Sequence, residues 1–167
     1  FEQALAYAHD CKHGIFVNSG TSALQMAVAA LKEKYQWNDQ DEIICPALTF
    51  IASSNVILQN NLTPVFVDVH QQYYNIDPAQ IEKLITSKTR AIMVVHLFGQ
   101  PADMEPIMKI AHQYNLKVIE DSCETMYARY HGKSVGSFGD IACFSTYACH
   151  IICTGVGGLA VTHDNEL

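Results

Sequence analysis

The chain has 167 residues, enough for one packed domain or for part of a larger one. A formal net charge of −7, with ten lysines and arginines in all, argues against a nucleic-acid surface, which needs clustered cations. No run approaches the roughly 18 apolar residues of a membrane-spanning helix, so no membrane partner is expected. A helical pattern is already under way at Phe1. GIFVN (14–18) reads as a strand, and TSALQMAVAALKEKY (21–35) as a helix with Ala23, Met26, Ala27 and Ala30 on one stripe. EIICP (42–46) and PVFVDV (64–69) are further strands. NIDPAQIEKLI (75–85) reads as a helix with Asp77 as N-cap and Pro78 at its first position. The strand AIMVVH (91–96) precedes the helix ADMEPIMKIAHQYN (102–115), for which Asp103 is the cap. KVIED (117–121), IACFST (141–146) and GLAVT (158–162) complete the strands.

Several of these strands are apolar throughout, as strands covered on both faces must be. Their alternation with helices predicts an α/β fold in three αβα layers, a mainly parallel sheet crossed by helices, in one domain spanning 1–167. The chain opens inside a helical pattern and closes at Leu167 just after a strand, so it is expected to be an excerpt of a longer polypeptide. Six cysteines, mostly in apolar segments, are read as buried free thiols of a cytoplasmic protein.

Ligands of such sheets collect at the carboxyl ends of the strands. Those ends carry NSGTSA (18–23), PALTF (46–50), HLFGQ (96–100), EDSCE (120–124) and STYACH (145–150). Gly20 with Thr21 and Ser22 opens a helix, where unpaired backbone N–H groups and two hydroxyls suit a phosphate; a plain N-cap at Ser19 or Thr21 is the simpler reading. The stretch is neither a P-loop nor a GxGxxG dinucleotide fingerprint. Of Glu120 and Asp121, an acid aimed into a cleft would hold a proton on a heterocyclic nitrogen, whereas a structural acid would cap or pair. Phe50 is a shelf for a flat ring or a core residue, and His96 reaches the cleft or bonds its own loop. Cys149-His150-x-x-Cys153 lacks the partner cluster that a metal site needs, so no metal is expected and the two thiols are read as packing beside the floor of the site.

Together these segments resemble the DegT/DnrJ/EryC1/StrS sugar-nucleotide aminotransferase family, pyridoxal phosphate enzymes of fold type I. The resemblance lies in VNSGTSAL (17–24), ICPALTFIASSNVIL (44–58), PVFVDV (64–69), VVHLFGQPADM (94–104), VIEDSCE (118–124) and GSFGDIACFSTYACH with TGVGG (136–158). It implies the large domain of such an enzyme, with a seven-stranded sheet whose last strand is antiparallel. An N-terminal segment and a C-terminal domain would then lie outside the chain. It implies that Gly20, Thr21, Ser22 and Ser145 bind the cofactor phosphate, that Phe50 stacks on the pyridine and that Asp121 pairs with its nitrogen. Glu124 would stand near the cofactor's phenolic oxygen, where the family usually has Gln or His.

The family's Schiff-base lysine follows that serine by five residues, and here the count from Ser145 reaches His150, with Gly157-Gly158 eight residues on. No lysine follows Lys133. Imidazole forms no Schiff base but moves protons near neutral pH. One branch of the family is similar here: 3-dehydrases that use pyridoxamine phosphate and a histidine base to remove the C3 hydroxyl of 4-keto-6-deoxy sugar nucleotides. The resemblance therefore implies His150 as catalytic base, pyridoxal or pyridoxamine phosphate as cofactor, a nucleotide-linked keto sugar for surface polysaccharide synthesis as substrate, and a homodimer. Thr146, Ala148 and Val156 depart from the family's usual residues, so amino transfer without the lysine, or a cofactor-binding scaffold without turnover, stay open.

Overall fold

In the computed structural model, which describes residues 1–167, every expected strand is present. Strands β1 (His13–Val17), β2 (Glu42–Pro46), β3 (Thr63–Val67), β4 (Thr89–Val95) and β5 (Lys117–Asp121) come first. A short hairpin, β6 (Arg129–Tyr130) and β7 (Lys133–Ser134), then precedes β8 (Ile141–Ser145) and β9 (Gly158–Thr162). The seven-stranded sheet has the order β1-β9-β8-β5-β4-β2-β3, and β9 runs antiparallel to both of its neighbours while the other pairs are parallel. The helices are α1 (Glu2–Ala8), α2 (Gly20–Lys34), α3 (Ile51–Gln59), α4 (Pro78–Ile81) and α5 (Met104–Gln113).

Side chains of a strand alternate between its faces, and the core divides accordingly. Ile43, Cys45, Ala91, Met93, Ile119 and Cys143 pack under α2 and α3 against Leu24, Val28, Leu31, Val56 and Ile57. Their neighbours Ile44, Ile92, Val94 and Val118 face the other way, onto Ile81 of α4 and Met104, Ile107 and Ala111 of α5. Ala142, Phe144, Leu159 and Val161 are covered on that side by Leu5 and Ala6 of α1. Each fully buried Leu, Ile or Val contributes roughly 1.5–3 kcal/mol, so these two apolar layers fix the sheet and present its carboxyl edge.

The helices depart from expectation in particular ways. The buried stripe of α2 is Ala23, Leu24, Ala27, Val28 and Leu31, with Met26 and Ala30 at its margin, because the bulkier aliphatics take the sheet-facing side. Asp77 caps α4 through the Ala79 N–H with Pro78 in the first turn, but the helix tightens to a 3-10 turn at Glu82–Leu84. Asp103 sits at the cap position of α5 without a capping bond, since its carboxylate accepts from the Tyr130 hydroxyl. Helix α3 has no counterpart among the expected elements: Ser53, Ser54 and Asn55, with β-branched Ile51, Val56 and Ile57, give it low intrinsic propensity.

Candidate active site

A cavity of about 430 Å³ opens at the carboxyl edge of the parallel strands. It is reached by Asn18 after β1, Thr49 and Phe50 after β2, Val95 of β4, Asp121 of β5 and Ser145 of β8. Its volume falls in the range of small-molecule pockets. Of the residues singled out in the sequence, Gly20, Thr21, Phe50, Asp121, Glu124, Ser145 and His150 line it together. Ser22 does not line it.

The wall beside α2 is a cradle without side-chain bulk. Ser19 caps the helix, its Oγ accepting the Ser22 N–H at 3.1 Å and meeting the Ser22 hydroxyl at 3.0 Å. The Ser22 hydroxyl is therefore turned onto the cap, and the simpler N-cap reading holds for Ser19. The first backbone N–H groups of α2, at Gly20 and Thr21, have no acceptor within the helix. A Cβ on Gly20 would lie 2.7 Å from the Cys123 sulfur and 2.9 Å from the Ser145 Cβ, so glycine is needed where helix and strand approach. A Cβ on Gly158 would run into the Ser19 carbonyl, which ties the start of β9 to the same cradle. Phe50 is 66% exposed and lines the cavity; it is not a core residue.

The two acids closing β5 face opposite sides. Glu120 is fully buried and accepts four bonds: from His96 Nε2 at 3.0 Å, Gly136 N at 2.7 Å, Phe138 N at 2.8 Å and Gly139 N at 2.6 Å. The other nitrogen of His96, Nδ1, accepts from Ala102 N at 3.0 Å, so Nε2 carries the proton donated to Glu120. His96 is thus a structural residue. Burial works to raise the Glu120 carboxyl, but the His96 hydrogen bond and the backbone N–H groups of Gly139 and Gly136 outweigh it and hold it below the usual range. Asp121 faces the cavity. Its Oδ2 accepts from Ser53 Oγ at 2.7 Å and its Oδ1 from Cys123 N at 3.2 Å. Burial pushes its carboxyl above the usual range against the pull of those bonds, as for an acid with no cation beside it.

The segment from Tyr147 to Gly157 bridges β8 and β9 and carries His150 to the cavity. It closes on itself: Thr146 N donates to Gly157 O at 3.0 Å and Thr154 N to Thr146 O at 3.0 Å, while the two threonine hydroxyls meet at 2.7 Å. Thr146 is fully buried and supplies the staple of this loop. A turn closed by His150 N on Tyr147 O at 3.0 Å sets the imidazole. Cys149 and Cys153 are exposed rather than buried; Cys149 lines the cavity beside His150 and Cys153 does not, while Cys11, Cys45 and Cys143 are buried and all six are free. Glu124 accepts the N–H of Phe98 at 3.0 Å, and Phe98 adopts a φ of 57°. No cluster of three or more His, Cys, Asp or Glu side chains is arranged to hold a metal ion. No helix is long and apolar enough to cross a membrane. The residues that the sequence does not single out are Ser53 and Thr49, whose hydroxyls meet at 2.7 Å beneath Asp121.

A three-layer α/β domain with one antiparallel strand and a cleft across the carboxyl edge defines the aminotransferase type of architecture. The chain belongs to the DegT/DnrJ/EryC1/StrS aminotransferase family, which it matches along residues 1–167. It is 46% identical over 167 residues to the GDP-perosamine synthase of Caulobacter vibrioides, covering 100% of this chain and 44% of that protein. Among solved structures, an aminotransferase from Psychrobacter cryohalolentis superposes with a TM-score of 0.94 at 40% identity, over 99% of this chain and 41% of the other. The E. coli GDP-4-keto-6-deoxy-D-mannose-3-dehydratase with bound hydrated PLP gives 0.93 at 34% identity, over 98% and 42%. The chain spans less than half the length of these relatives.

Proposed function

We propose that the chain is the large domain of a pyridoxamine- or pyridoxal-phosphate enzyme acting on nucleotide-linked keto sugars, with His150 as the base in loss of the C3 hydroxyl. One observation carries this reading: His150 lines the same cavity as the α2 cradle, the exposed ring of Phe50 and the buried acid Asp121. The residues fit the cofactor. Gly20, whose missing side chain lets α2 close onto Cys123 and Ser145, lines the cavity with Thr21 and Ser145, so a phosphate there would meet the unpaired N–H groups at the start of a 15-residue helix and two hydroxyls. Asp121, buried and without a cation partner, is matched to a protonated ring nitrogen.

When bound, pyridoxamine phosphate supplies an amine that condenses with a sugar ketone and a ring that withdraws electrons. The chain's own contribution is positional and protonic. The helix start and Ser145 would hold the phosphate, Phe50 would offer its ring to the cofactor's ring, and Asp121 would keep the ring nitrogen protonated. The His150 imidazole would be the group that accepts a proton at the cofactor's C4′ and returns one toward the departing hydroxyl. It forms no covalent bond to the cofactor, which separates this chemistry from lysine-dependent amino transfer. In support, the chain resembles the dehydratase above as well as the aminotransferases. The complete enzyme is proposed to be a homodimer, serving surface polysaccharide synthesis in the cytoplasm.

The test is product analysis. Full-length protein, pyridoxamine phosphate and a nucleotide-linked 4-keto-6-deoxy sugar are expected to give a sugar that has lost its C3 oxygen, read by mass spectrometry. His150→Asn is expected to lower that rate 100-fold or more. An amino sugar formed at an equal rate by wild type and His150→Asn would contradict the assignment.

A further inference from the structure

We propose that Ser53 is a positioning residue: its hydroxyl holds Asp121 as an oriented carboxylate at the cavity floor, with Thr49 supplying the hydrogen bond behind it. The inference deepens the cofactor reading above and rests on it for the partner that Asp121 meets. Ser53 lies in the first turn of α3, fully buried. A serine inside a helix ordinarily returns its hydroxyl to a carbonyl three or four residues back. Ser53 has such an acceptor in Phe50 O at 3.1 Å, but its single proton has a shorter and charged acceptor in Asp121 Oδ2 at 2.7 Å. With that proton committed, the Ser53 oxygen is free to accept, and Thr49 Oγ1 at 2.7 Å is the donor. The direction of the chain is therefore fixed as Thr49 to Ser53 to Asp121.

The arrangement orients the acid as well as stabilising its charge. Ser53 holds Oδ2 and the Cys123 N–H holds Oδ1, so the carboxylate is pinned at both oxygens and cannot turn about its last bond. The titratable groups around Asp121 are the thiols of Cys123 and Cys143 and, across the shared cavity, Glu124 and His150. No cationic group is hydrogen-bonded to Asp121: the thiols are neutral and are driven further from ionising by burial, and His96 donates its Nε2–H to Glu120. Helix α3 thus contributes the one side-chain hydroxyl that opposes the effect of burial on this acid.

The test reads Asp121 itself. In cofactor-free full-length protein, a carbon-13 titration of the Asp121 carboxyl is expected to give a higher midpoint in Ser53→Ala than in wild type. A smaller shift in the same direction is expected in Thr49→Val, which removes the second bond while keeping the shape and leaves Ser53 intact should Ser53→Ala fail to fold. Pyridoxamine phosphate binding, followed by fluorescence at pH 8, is expected to weaken about tenfold in Ser53→Ala, the loss of one hydrogen bond to a charged group. An Asp121 midpoint that is unchanged in a folded Ser53→Ala or in Thr49→Val overturns the proposal. Wild-type protein that binds no pyridoxamine phosphate, while the midpoint still moves, sinks the cofactor reading and leaves the role of Ser53 standing.

Discussion

Glu120 and Asp121 are adjacent carboxylates at the end of one strand, and the structure uses them for opposite purposes. Glu120 accepts four bonds on the α1 and α5 side, gathering the 96–102 and 136–139 segments onto β5. Asp121 accepts two on the α2 and α3 side and faces a cavity. The difference comes from strand alternation alone, which sends consecutive residues to opposite faces. A carboxylate that serves the fold is saturated by donors. A carboxylate that serves a site is held firmly but left one partner short.

The two acids are expected to differ most in what their loss costs in stability. Glu120→Ala leaves His96 and three backbone N–H groups without their acceptor and is expected to cost about 3–5 kcal/mol in urea denaturation. Asp121→Ala leaves two donors, the Ser53 hydroxyl and the Cys123 N–H, beside a solvent-accessible cavity and is expected to cost about 1–2 kcal/mol while cofactor binding is lost. Equal costs would end the contrast. The pH dependence separates the two acids further. Glu120, held below its ordinary value, contributes stability that is complete above the usual carboxylate range and is lost as pH falls through its folded value. Asp121, raised by burial, lowers stability as pH rises from 3.8 toward its folded value. Asp121→Asn is therefore expected to gain on wild type between acid and neutral pH, whereas Glu120→Gln is expected to lose over the same interval.

A smaller effect is expected at the cradle. Gly20→Ala drives a methyl group against Cys123 and Ser145 and is expected to cost about 1–3 kcal/mol. Binding is expected to weaken as well, because the methyl forces the start of α2 and Ser145, both part of the proposed phosphate site, apart. Phosphate-bearing cofactor that binds Gly20→Ala with wild-type affinity would move the anion site away from α2.

The strands were legible because each is a short apolar run bounded by turn residues, and the carboxyl ends followed from the β-α rhythm. Which acid of the pair enters the cleft was not legible from alternation. Val118 and Ile119 are buried on both faces of β5, so the strand carries no polar side from which to count. Ser53 was hidden for a different reason: its bond to Asp121 spans 68 residues, and the helix that carries it has a composition that does not read as helix. Thr146, a departure from family usage in the sequence, is in the structure the staple that closes the His150 loop. His150 was found by counting from Ser145 along the family's pattern, and the loop between the paired Ser145 and Gly158 brings it to the cavity.

The most direct test of the account is an absorbance spectrum of the full-length protein with pyridoxal phosphate, wild type beside His150→Lys. Wild type is expected to bind the cofactor without covalent attachment, leaving no borohydride-fixed adduct on any lysine. His150→Lys is expected to develop a new long-wavelength band and to retain the cofactor on the introduced side chain after reduction. A cofactor fixed to a native lysine in wild type, or no new band in a folded His150→Lys that binds the cofactor, would contradict the placement of His150 at the reacting position.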